Sequence, residues 1–314
     1  MKILHLSDTT LSGAPHRLAQ AFTKYSNGKH EARHLVWHPV VFDRIFPYDL
    51  CSQHMTREEI QKWFDWADVI HYHNRYKRQE IFKKNKLAPP KKPSIIQIHS
   101  PRASENFTEE IESGIPIAVI AQYHVREWPE LSYVVPNVVD IYDHLHMPTE
   151  KPKRLQPIVS YAPSNTICTG WDNKSYGTVS PVLKRMYMNR EIQYQRITKV
   201  PFLECLKLKQ NADIGIDEVS TGSYHMSSLE YLSMGVATIG NIDEQCERVL
   251  KDLTGASWLP WVQSSEKNFH KDIMMLVRNK TYFEIGEKSR AWMEEYWKPE
   301  SIRDFFIELY KRLK

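Results

Sequence analysis

The chain has 314 residues, which is enough for two domains of ordinary size, each with its own hydrophobic core. Hydrophobic residues make up 41% and charged residues 25% of the sequence, and the longest uncharged apolar run, 115–121, is too short to span a bilayer. These figures exclude a single small binding module and an integral membrane protein, and the net charge of +4 excludes a strongly basic body.

Features near the N-terminus and the cysteines predict a cytoplasmic location. Asp8 interrupts the first apolar run before the core of a signal peptide has formed, so we expect no secretory leader. The cysteines at 51, 168, 205 and 246 have neither CxxC spacing nor the density of a disulfide framework, which is typical of reduced thiols. We therefore predict a cytoplasmic protein, with peripheral attachment to a membrane left open.

The first half of the chain alternates short apolar runs with longer segments of helical spacing. This order predicts parallel strands joined by crossover helices, which is one Rossmann-like α/β domain over residues 1–147. The predicted strands are 2–6, 34–37, 69–73, 95–99, 117–121 and 133–136, and the predicted helices are 14–25, 57–66 and 76–87.

A polar, proline-bearing stretch at 148–157 is typical of a linker, and the alternation then restarts in a second α/β domain, 158–295. A proline break precedes the last segment, 296–314, which we expect to cross back to the first domain; a terminal helix of the second domain is the alternative. Two such domains facing one another predict an interdomain cleft at the carboxyl ends of both sheets, where ligands bind. The predicted strands are 158–162, 193–198, 212–217 and 236–240, and the predicted helices are 177–188, 202–210, 226–234, 243–253, 265–278 and 281–295.

The stretch 212–240 carries the clearest functional pattern. An apolar strand ends at Asp217, a polar loop with Gly222 follows, and a helix opens near His225. The unpaired amides and the macrodipole of a helix N-terminus attract anions, the dipole alone contributing about 0.3–2 kcal/mol, so we expect a phosphate group there. Glu230 would then lie where it accepts hydrogen bonds from ribose hydroxyls, unless it faces solvent.

Histidines follow two neighbouring strands of the first predicted domain. His99 ends the strand at 95–99, so we expect it at the carboxyl edge of the sheet, with a buried structural role as the alternative. His71 and His73 end the preceding strand, and with His99 they suggest a metal-ligand set. Because His71 lies inside an apolar run and no carboxylate or cysteine is close in sequence, we predict no metal site.

Several fragments resemble, in their order, the large retaining family of GT-B glycosyltransferases (glycosyl transferases group 1, family 4-like). Residues 222–237 resemble the loop and the glutamate-bearing helix that hold the nucleotide sugar, and residues 12–14 resemble the glycine-rich donor loop. Residues 67–71 and 136–140 resemble the family's ADVIH and PNGVD stretches, and residues 161–174 resemble the start of its second domain. The resemblance implies donor binding by Ser12, Gly13, Ala14, Ser164, Asn165, Lys174, Gly222, Ser223, Tyr224, His225 and Glu230.

The catalytic residues that the resemblance implies depart from the family pattern in part. His99 matches a histidine that contacts the transferred sugar. The family places a glutamate eight positions before Glu230, where this chain has Gly222, so we expect Asp217 or Glu218 to substitute for it. The arginine that commonly accompanies the diphosphate lysine is also missing, which leaves the diphosphate charge to Lys174, to helix N-termini and to neighbouring basic side chains.

One basic segment, 75–92, contains eight basic residues and a single acid. It follows the strand that ends at His73, on the side where the resembling family receives acceptors. It is either a solvated helix face or a site for a polyanion, namely an anionic membrane surface, a charged glycan or a nucleic acid. The residues assigned to this acceptor or polyanion side are His73, Arg75, Lys77, Arg78, Lys83, Lys84 and Lys86.

The sequence therefore predicts a GT-B glycosyltransferase that moves a hexose from a UDP- or GDP-linked donor to a hydroxyl acceptor on a glycan or a lipid-linked glycan. The resemblance implies retention of configuration and no requirement for a metal or other cofactor. Two alternatives stay open. One is a DNA glycosyltransferase acting on a hydroxylated base, and the other is a nucleotide-sugar-binding protein without catalysis.

Overall fold

The structure is a computed structural model of the chain and describes residues 1–41, 44–100, 106–122, 124–128, 133–163 and 175–313. The chain divides into two compact units, the first made of Met1–Val138 and Pro299–Lys314 and the second of Val139–Lys298. Each unit contains a parallel β-sheet with helices, which confirms the predicted α/β class and the two parallel sheets. The interdomain cleft stays a prediction.

The described strands are short and alternate with helices over most of the chain. In chain order, β1 to β14 are Lys2–Thr9, Glu31–His38, Val40–Val41, Arg44–Ile45, Leu50–Cys51, Val69–His73, Ser94–Ile98, Ile117–Ile120, Tyr133–Val135, Ile158–Tyr161, Gln193–Arg196, Ile214–Ile216, Ala237–Gly240 and Val262–Gln263. The helices α1 to α12 are Ala14–Tyr25, Arg57–Trp66, Glu80–Asn85, Thr108–Glu112, His124–Glu127, Tyr176–Met188, Phe202–Gln210, Met226–Ser233, Glu244–Thr254, Phe269–Asn279, Tyr282–Tyr296 and Pro299–Lys311.

Both sheets have a point where the strand order reverses. The first unit's sheet has the parallel order β5-β2-β1-β6-β7-β8-β9, which reverses between β1 and β6. The second unit's sheet has the parallel order β11-β10-β12-β13-β14, which reverses between β10 and β12. Open α/β sheets bind ligands beyond the carboxyl ends of the strands at such switch points. We therefore expect each unit to bind a ligand at the carboxyl edge of its sheet, next to the switch point.

Hydrogen bonds to terminal amides and backbone turns set the boundaries of helices α2 and α3. Helix α2 begins with a capping box, in which the Thr56 side chain accepts from the Glu59 amide and the Glu59 carboxylate accepts from the Thr56 amide. Helix α3 is shorter than the predicted 76–87, because the Asp8 carboxylate accepts from the Glu80 amide at its start and Lys86 ends it in a left-handed conformation with φ of 51°.

The final helix, α12, packs within the first unit. The Tyr310 hydroxyl lies 2.6 Å from Nδ1 of His71 in the sheet, and the Tyr310 ring stacks on Phe22 of α1 at 5.5 Å. Arg303 donates to the carbonyl oxygen of Tyr25 at the end of α1. Helix α12 therefore covers the same face of the first sheet as α1.

The stretch 148–157, predicted as a linker, lies within the second unit, Val139–Lys298. Lys151 donates to the Ala212 carbonyl, and the Arg154 guanidinium lies 3.3 Å from the Asp213 carboxylate. These bonds satisfy groups at the start of β12.

No described helix has the length and apolar character that a membrane span requires.

Beneath α1 and α12 the first sheet buries a layer of histidines. His5 pairs in register with His34 on β2 and with His71 on β6, and His73 lies two residues further along β6. All four are at most 1% exposed. Burial lowers the pKa of His34 to about 3 and holds the pKa of the other three well below the ordinary value of 6.5. These imidazoles are therefore neutral in the folded state.

The buried histidines predict a loss of stability in acid. The unfolded chain binds protons below about pH 6.5 and the folded chain does not, so the free energy of unfolding falls as the pH drops below that value, by about 1.4 kcal/mol per pH unit for each histidine. In urea titrations between pH 7 and pH 5, we expect His34→Gln to reduce this slope and His54→Gln, at an exposed position, to leave it unchanged. Equal slopes in wild type and His34→Gln would contradict the prediction.

Candidate active site

The loop at the switch point of the second unit begins with a buried acid that caps the next helix. Asp217 follows β12 directly, and its Oδ2 accepts from the His225 amide at 2.7 Å, where α8 begins. Its Oδ1 lies 3.3 Å from Nδ1 of His225, which is only 7% exposed. The carboxylate thus binds the amide of His225, the residue immediately before the helix N-terminus at which the sequence predicted a phosphate group. Asp217 consequently organises the loop.

Glu218 is the second buried acid of this loop. Its Oε2 accepts from the amides of Ser220 and Thr221 at 2.8 and 2.6 Å, whereas its Oε1 has no hydrogen-bond partner among the described residues. Burial raises the pKa of Glu218 above its ordinary value. Ser220 contacts Ser175, the first residue after the undescribed 164–174, at 2.7 Å. An unsatisfied buried oxygen of this kind is a candidate acceptor for a substrate hydroxyl.

The middle of the loop serves mainly as an anchor. Gly222 has φ of 74°, and its carbonyl accepts from the Asp243 amide at 3.1 Å. The side chains of Ser223 and Tyr224 are fully buried, and the Tyr224 ring lies 5.5 Å from Trp261. Any contact of Ser223 or Tyr224 with the nucleotide-sugar donor would therefore come from the backbone.

Glu230 is buried, which excludes the solvent-facing interpretation. Its Oε2 lies 2.5 Å from Nζ of Lys209 on α7, and both side chains are at most 5% exposed. The same ammonium donates to Ser227 at 2.8 Å and lies 5.0 Å from the centre of the Tyr231 ring. Sequence reasoning missed Lys209, because nothing in its pattern distinguishes it from the exposed Lys207. The ribose contact of Glu230 stays a prediction.

The predicted donor loop of the first unit has its amides already engaged. The Gly13 amide donates to the Thr10 carbonyl at 2.7 Å, and the Ala14 amide donates to the Leu11 carbonyl. Gly13, with φ of 83°, precedes α1, and Pro15 at the start of that helix has no amide hydrogen. The amides of Gly13 and Ala14 are therefore engaged within their own turn, and donor binding by Ser12, Gly13 and Ala14 stays a prediction.

A cavity of about 550 Å³ lies at the switch point of the first unit, beyond the carboxyl ends of β1, β2 and β6. Its walls combine an aromatic ring with charged and amide side chains. They are formed by Asp8, Thr9, Leu11, Trp37, His38, Gln53, His73, Asn74, Arg75, Glu80 and Ser100. Sequence reasoning named His73 and Arg75 but missed Asp8, Trp37 and Asn74. Their positions at or just beyond strand ends were the available signal.

Asp8, Arg75 and Glu80 are the charged side chains that line this cavity. Asp8 Oδ1 accepts from the Glu80 amide at 2.6 Å, and Asp8 Oδ2 lies 3.8 Å from the Arg75 guanidinium. Burial raises the pKa of the Asp8 carboxyl, although the amide of Glu80 and the charge of Arg75 oppose this effect. The Arg75 side chain is 43% exposed and so can also reach an anion from solvent.

His99 lies beyond the carboxyl end of β7, as the sequence predicted. Its Nε2 is 2.8 Å from Nδ1 of His73, and its amide donates to the Asn74 side chain at 2.6 Å. Asn74, with φ of 64°, donates in turn to the Ser100 hydroxyl at 2.8 Å. These bonds fix the half-buried His99 beside residues that line the cavity.

The ring nitrogens of three buried histidines lie close to one another. The nitrogens of His5, His71 and His73 lie within 4.8 Å of one another. However, the rings of His71 and His73 are stacked at 4.3 Å with planes only 13° apart. Lone pairs lie in the imidazole planes, so those of stacked rings run side by side and do not converge on one ion. The ring orientations argue against a metal here.

The basic segment is partly neutralised. Arg78 pairs with Glu109 and Glu110 at 3.0 and 2.9 Å, so its charge is compensated. Lys83 and Lys84 each lie 3.7 Å from Glu80, a distance at which exposed pairs contribute little. Lys77 lies over the Tyr76 ring, and Lys86 ends α3.

The predicted donor residues Ser164, Asn165 and Lys174 lie outside the described residues.

Comparison with known proteins identifies the fold. No protein-family model matches the sequence, and no curated protein is similar to it. Among solved structures, an alpha-glucosyltransferase (AGT) in complex with UDP is 11% identical with a TM-score of 0.68, covering 99% of this chain and 100% of that one. An alpha-glucosyltransferase in complex with UDP and a 13-mer DNA containing an HMU base is 12% identical with a TM-score of 0.66, covering 99% of both chains.

A third similar structure is HepE of Anabaena in complex with UDP-glucose, 11% identical with a TM-score of 0.63 and complete coverage of both chains. At these identities the likeness establishes the fold and not the reaction. The chain thus has, over nearly its whole length, the fold of these glycosyltransferases.

The buried pair of Lys209 and Glu230 predicts a strong effect of removing one partner. Lys209→Met leaves an uncompensated buried carboxylate, so we expect the free energy of unfolding to fall by about 3–5 kcal/mol, and the double variant Lys209→Met/Glu230→Leu to recover most of the loss. Chemical denaturation measures both. Lys207→Met, at an exposed position of the same helix, is the matched control. A Lys209→Met variant as stable as this control would contradict the pairing.

Proposed function

We propose that the chain is a glycosyltransferase that moves a hexose from a UDP-linked donor to a hydroxyl acceptor. The observation that carries the proposal is the polar turn 217–225, which lies at the switch point of the second unit's sheet. The fold of the whole chain is similar to that of structures that hold UDP or UDP-glucose. The proposal includes the GT-B arrangement, the retention of configuration and the independence from metal that the family resemblance implies.

The second unit would bind the donor. Of the two acids expected to replace the family's missing glutamate, we choose Glu218, because both oxygens of Asp217 face His225, Oδ2 at its amide and Oδ1 3.3 Å from its ring nitrogen, whereas Glu218 Oε1 has no partner among the described residues. We assign to Glu218 Oε1 the role of accepting a hydroxyl hydrogen of the donor sugar. Glu230, paired with Lys209, would accept hydrogen bonds from the ribose of the nucleotide, and Lys174 would offset the diphosphate charge.

The first unit would receive the acceptor in the cavity at its switch point. Arg75 and Asp8 supply a donor and an acceptor of hydrogen bonds there, and Trp37 supplies an apolar wall. His99, held beside this cavity by His73 and Asn74, would contact the transferred sugar. Such preorganised groups lower the barrier because they do not reorient as charge develops on the leaving diphosphate.

The donor assignment predicts a separation of binding from turnover in Glu218→Gln. The amide places an N–H₂ donor where the carboxylate has an acceptor, so we expect UDP affinity by calorimetry within about threefold of wild type and turnover of UDP-glucose, measured by released UDP, reduced about 100-fold or more. Glu244→Gln, at an exposed acid of the same unit, serves as the control.

Absence of UDP binding to the wild-type chain would overturn the proposed function. Wild-type turnover in Glu218→Gln would remove Glu218 from the site. Binding of UDP without release from any UDP-sugar, in the presence of acceptors, would favour the alternative of a binding protein without catalysis.

A second candidate acceptor is a hydroxylated base in DNA. This reading is favoured by the juxtaposition of Trp37 and Arg75 in one cavity with exposed lysines on the neighbouring helix α3, which suits an aromatic base and its phosphates. One similar structure is described as holding DNA with an HMU base.

The DNA reading predicts a salt-dependent affinity that depends on three lysines. If Lys83, Lys84 and Lys86 each contact a phosphate, their joint replacement by Gln reduces the slope of log affinity against log salt by about 2.7. Fluorescence anisotropy with a short duplex measures this slope. Joint replacement of Lys267, Lys271 and Lys288, exposed lysines of the second unit, is the control. An unchanged slope in the first triple variant would exclude this surface as a phosphate contact.

A further inference from the structure

Helices α6 and α10 present their outer faces side by side on the second unit. Their inner side chains belong to one core cluster, for example Leu183 of α6 and Ile273 of α10. Between the outer faces lies a cavity of about 350 Å³. Its walls include the basic side chains of Arg185, Lys271 and Arg278, the Glu191 carboxylate and the thioethers of Met274 and Met275. The cavity and the exposed side chains around it form the α6–α10 surface.

The α6–α10 surface is strongly basic. The segments that supply it, 184–191 and 267–280, contain seven basic residues and only two acids. None of the described residues forms an ion pair or a side-chain hydrogen bond with Arg185, Lys271 or Arg278. The charge of these three side chains is therefore available to an anion from solvent.

Exposed apolar side chains surround the same cavity. Met275, on its wall, is 51% exposed, and Met188, at the end of α6, is 80% exposed. Leu155 is fully exposed, and the side-chain amide of the next residue, Gln156, donates to the Arg190 carbonyl just beyond α6 at 2.6 Å. Scattered apolar side chains are normal on a protein surface, whereas a cluster of them marks a binding surface.

Helix α10 shows how the two kinds of side chain are combined. Its buried side chains are Phe269, Ile273 and Leu276. On the exposed side, Lys271, Met275 and Arg278 follow one another at i, i+4 and i+7, so a methionine lies between two cations on one stripe. The outer stripe of an ordinary surface helix is polar throughout. Cations mixed with exposed apolar groups are typical of helices that lie at the surface of an anionic bilayer.

We propose that the α6–α10 surface binds an anionic lipid bilayer. Arg185, Lys271 and Arg278 bind the phosphates of lipid headgroups, one of which enters the cavity. Met188 and Met275 then enter the apolar layer beneath the headgroups. A nucleic acid or a free phosphate ion would also use the three cations, but it would gain nothing from the exposed methionines. The methionines therefore favour lipid as the partner.

The α6–α10 surface is separate from the candidate donor loop of the same unit. Glu191, on the cavity wall, lies two residues before β11 begins and so lies near the amino ends of the parallel strands. The loop 217–225 follows the carboxyl end of β12. Lipid binding does not rest on the proposed function, and replacements on the α6–α10 surface should leave UDP affinity unchanged.

Sedimentation of the full-length chain with lipid vesicles tests the role of charge. Wild type should bind vesicles made of equal amounts of phosphatidylcholine and phosphatidylglycerol, and it should not bind phosphatidylcholine alone. Joint replacement by Arg185→Gln, Lys271→Gln and Arg278→Gln should lower partitioning onto the mixed vesicles by about 100-fold, because each cation near an anionic bilayer contributes about fivefold. All three positions are exposed, so the variant should fold.

A matched control removes the same charge from the first unit. Joint replacement by Lys83→Gln, Lys84→Gln and Lys86→Gln should leave vesicle binding as in wild type. Loss of binding in this control, with binding retained in the first variant, would overturn the proposal. Absence of wild-type binding to the mixed vesicles would also overturn it.

Replacement of the methionines separates a bilayer from other polyanions. Met188→Gln/Met275→Gln keeps the charge and the helix propensity, so we expect partitioning onto the mixed vesicles to fall about 10-fold or more and the affinity for a short DNA duplex to stay unchanged. Ile111→Gln/Leu203→Gln, at two exposed apolar positions elsewhere, is the control.

Two further outcomes would assign the surface to a different partner or leave lipid as the partner without the proposed reaction. Wild-type partitioning in the methionine variant, or a duplex affinity that depends on Arg185, Lys271 and Arg278 while vesicle binding does not, would contradict a bilayer as the partner. If wild type binds the mixed vesicles through this surface and does not bind UDP, the proposed function fails and the lipid proposal stands.

Discussion

The hydrogen bond from the His225 amide to the Asp217 carboxylate is the constraint on which the second unit's candidate site depends. It ties the end of β12 to the start of α8 and so sets the path of the loop between them. With that loop closed, Glu218 is directed into it, and its second oxygen lacks a partner among the described residues. The two adjacent acids thus differ in what they can bind, because Asp217 is bonded to the residue at which α8 begins, whereas Glu218 keeps one oxygen without a partner among the described residues.

Local periodicity was sufficient for most of the fold. Helices α1, α2 and α7 and strand β6 have the bounds that the sequence predicted, because each has a clear apolar pattern that agrees with its ends. Helix α3 was predicted too long, since the cap from Asp8 comes from a residue distant in sequence. The two-residue strands β5 and β14 were missed because a period cannot be read from two positions.

The candidate site was less predictable than the fold, for a physical reason that specific residues illustrate. The order of motifs placed the polar loop after β12 and His99 at the end of β7, where the structure has them. It could not show that Lys209 on another helix pairs with Glu230, or that the amides of Gly13 and Ala14 are used within their own turn. Availability of a polar group depends on its partners, and partners distant in sequence leave no local pattern.

The first unit is assembled from both ends of the chain, with α12 packed beside α1 and Tyr310 bonded to His71. During synthesis the ribosome releases α12 only after the entire second unit has emerged. The histidine-bearing face of the first sheet must therefore wait, without its final cover, while the second unit is translated. Transiently exposed apolar surface of this kind promotes aggregation until its cover is in place.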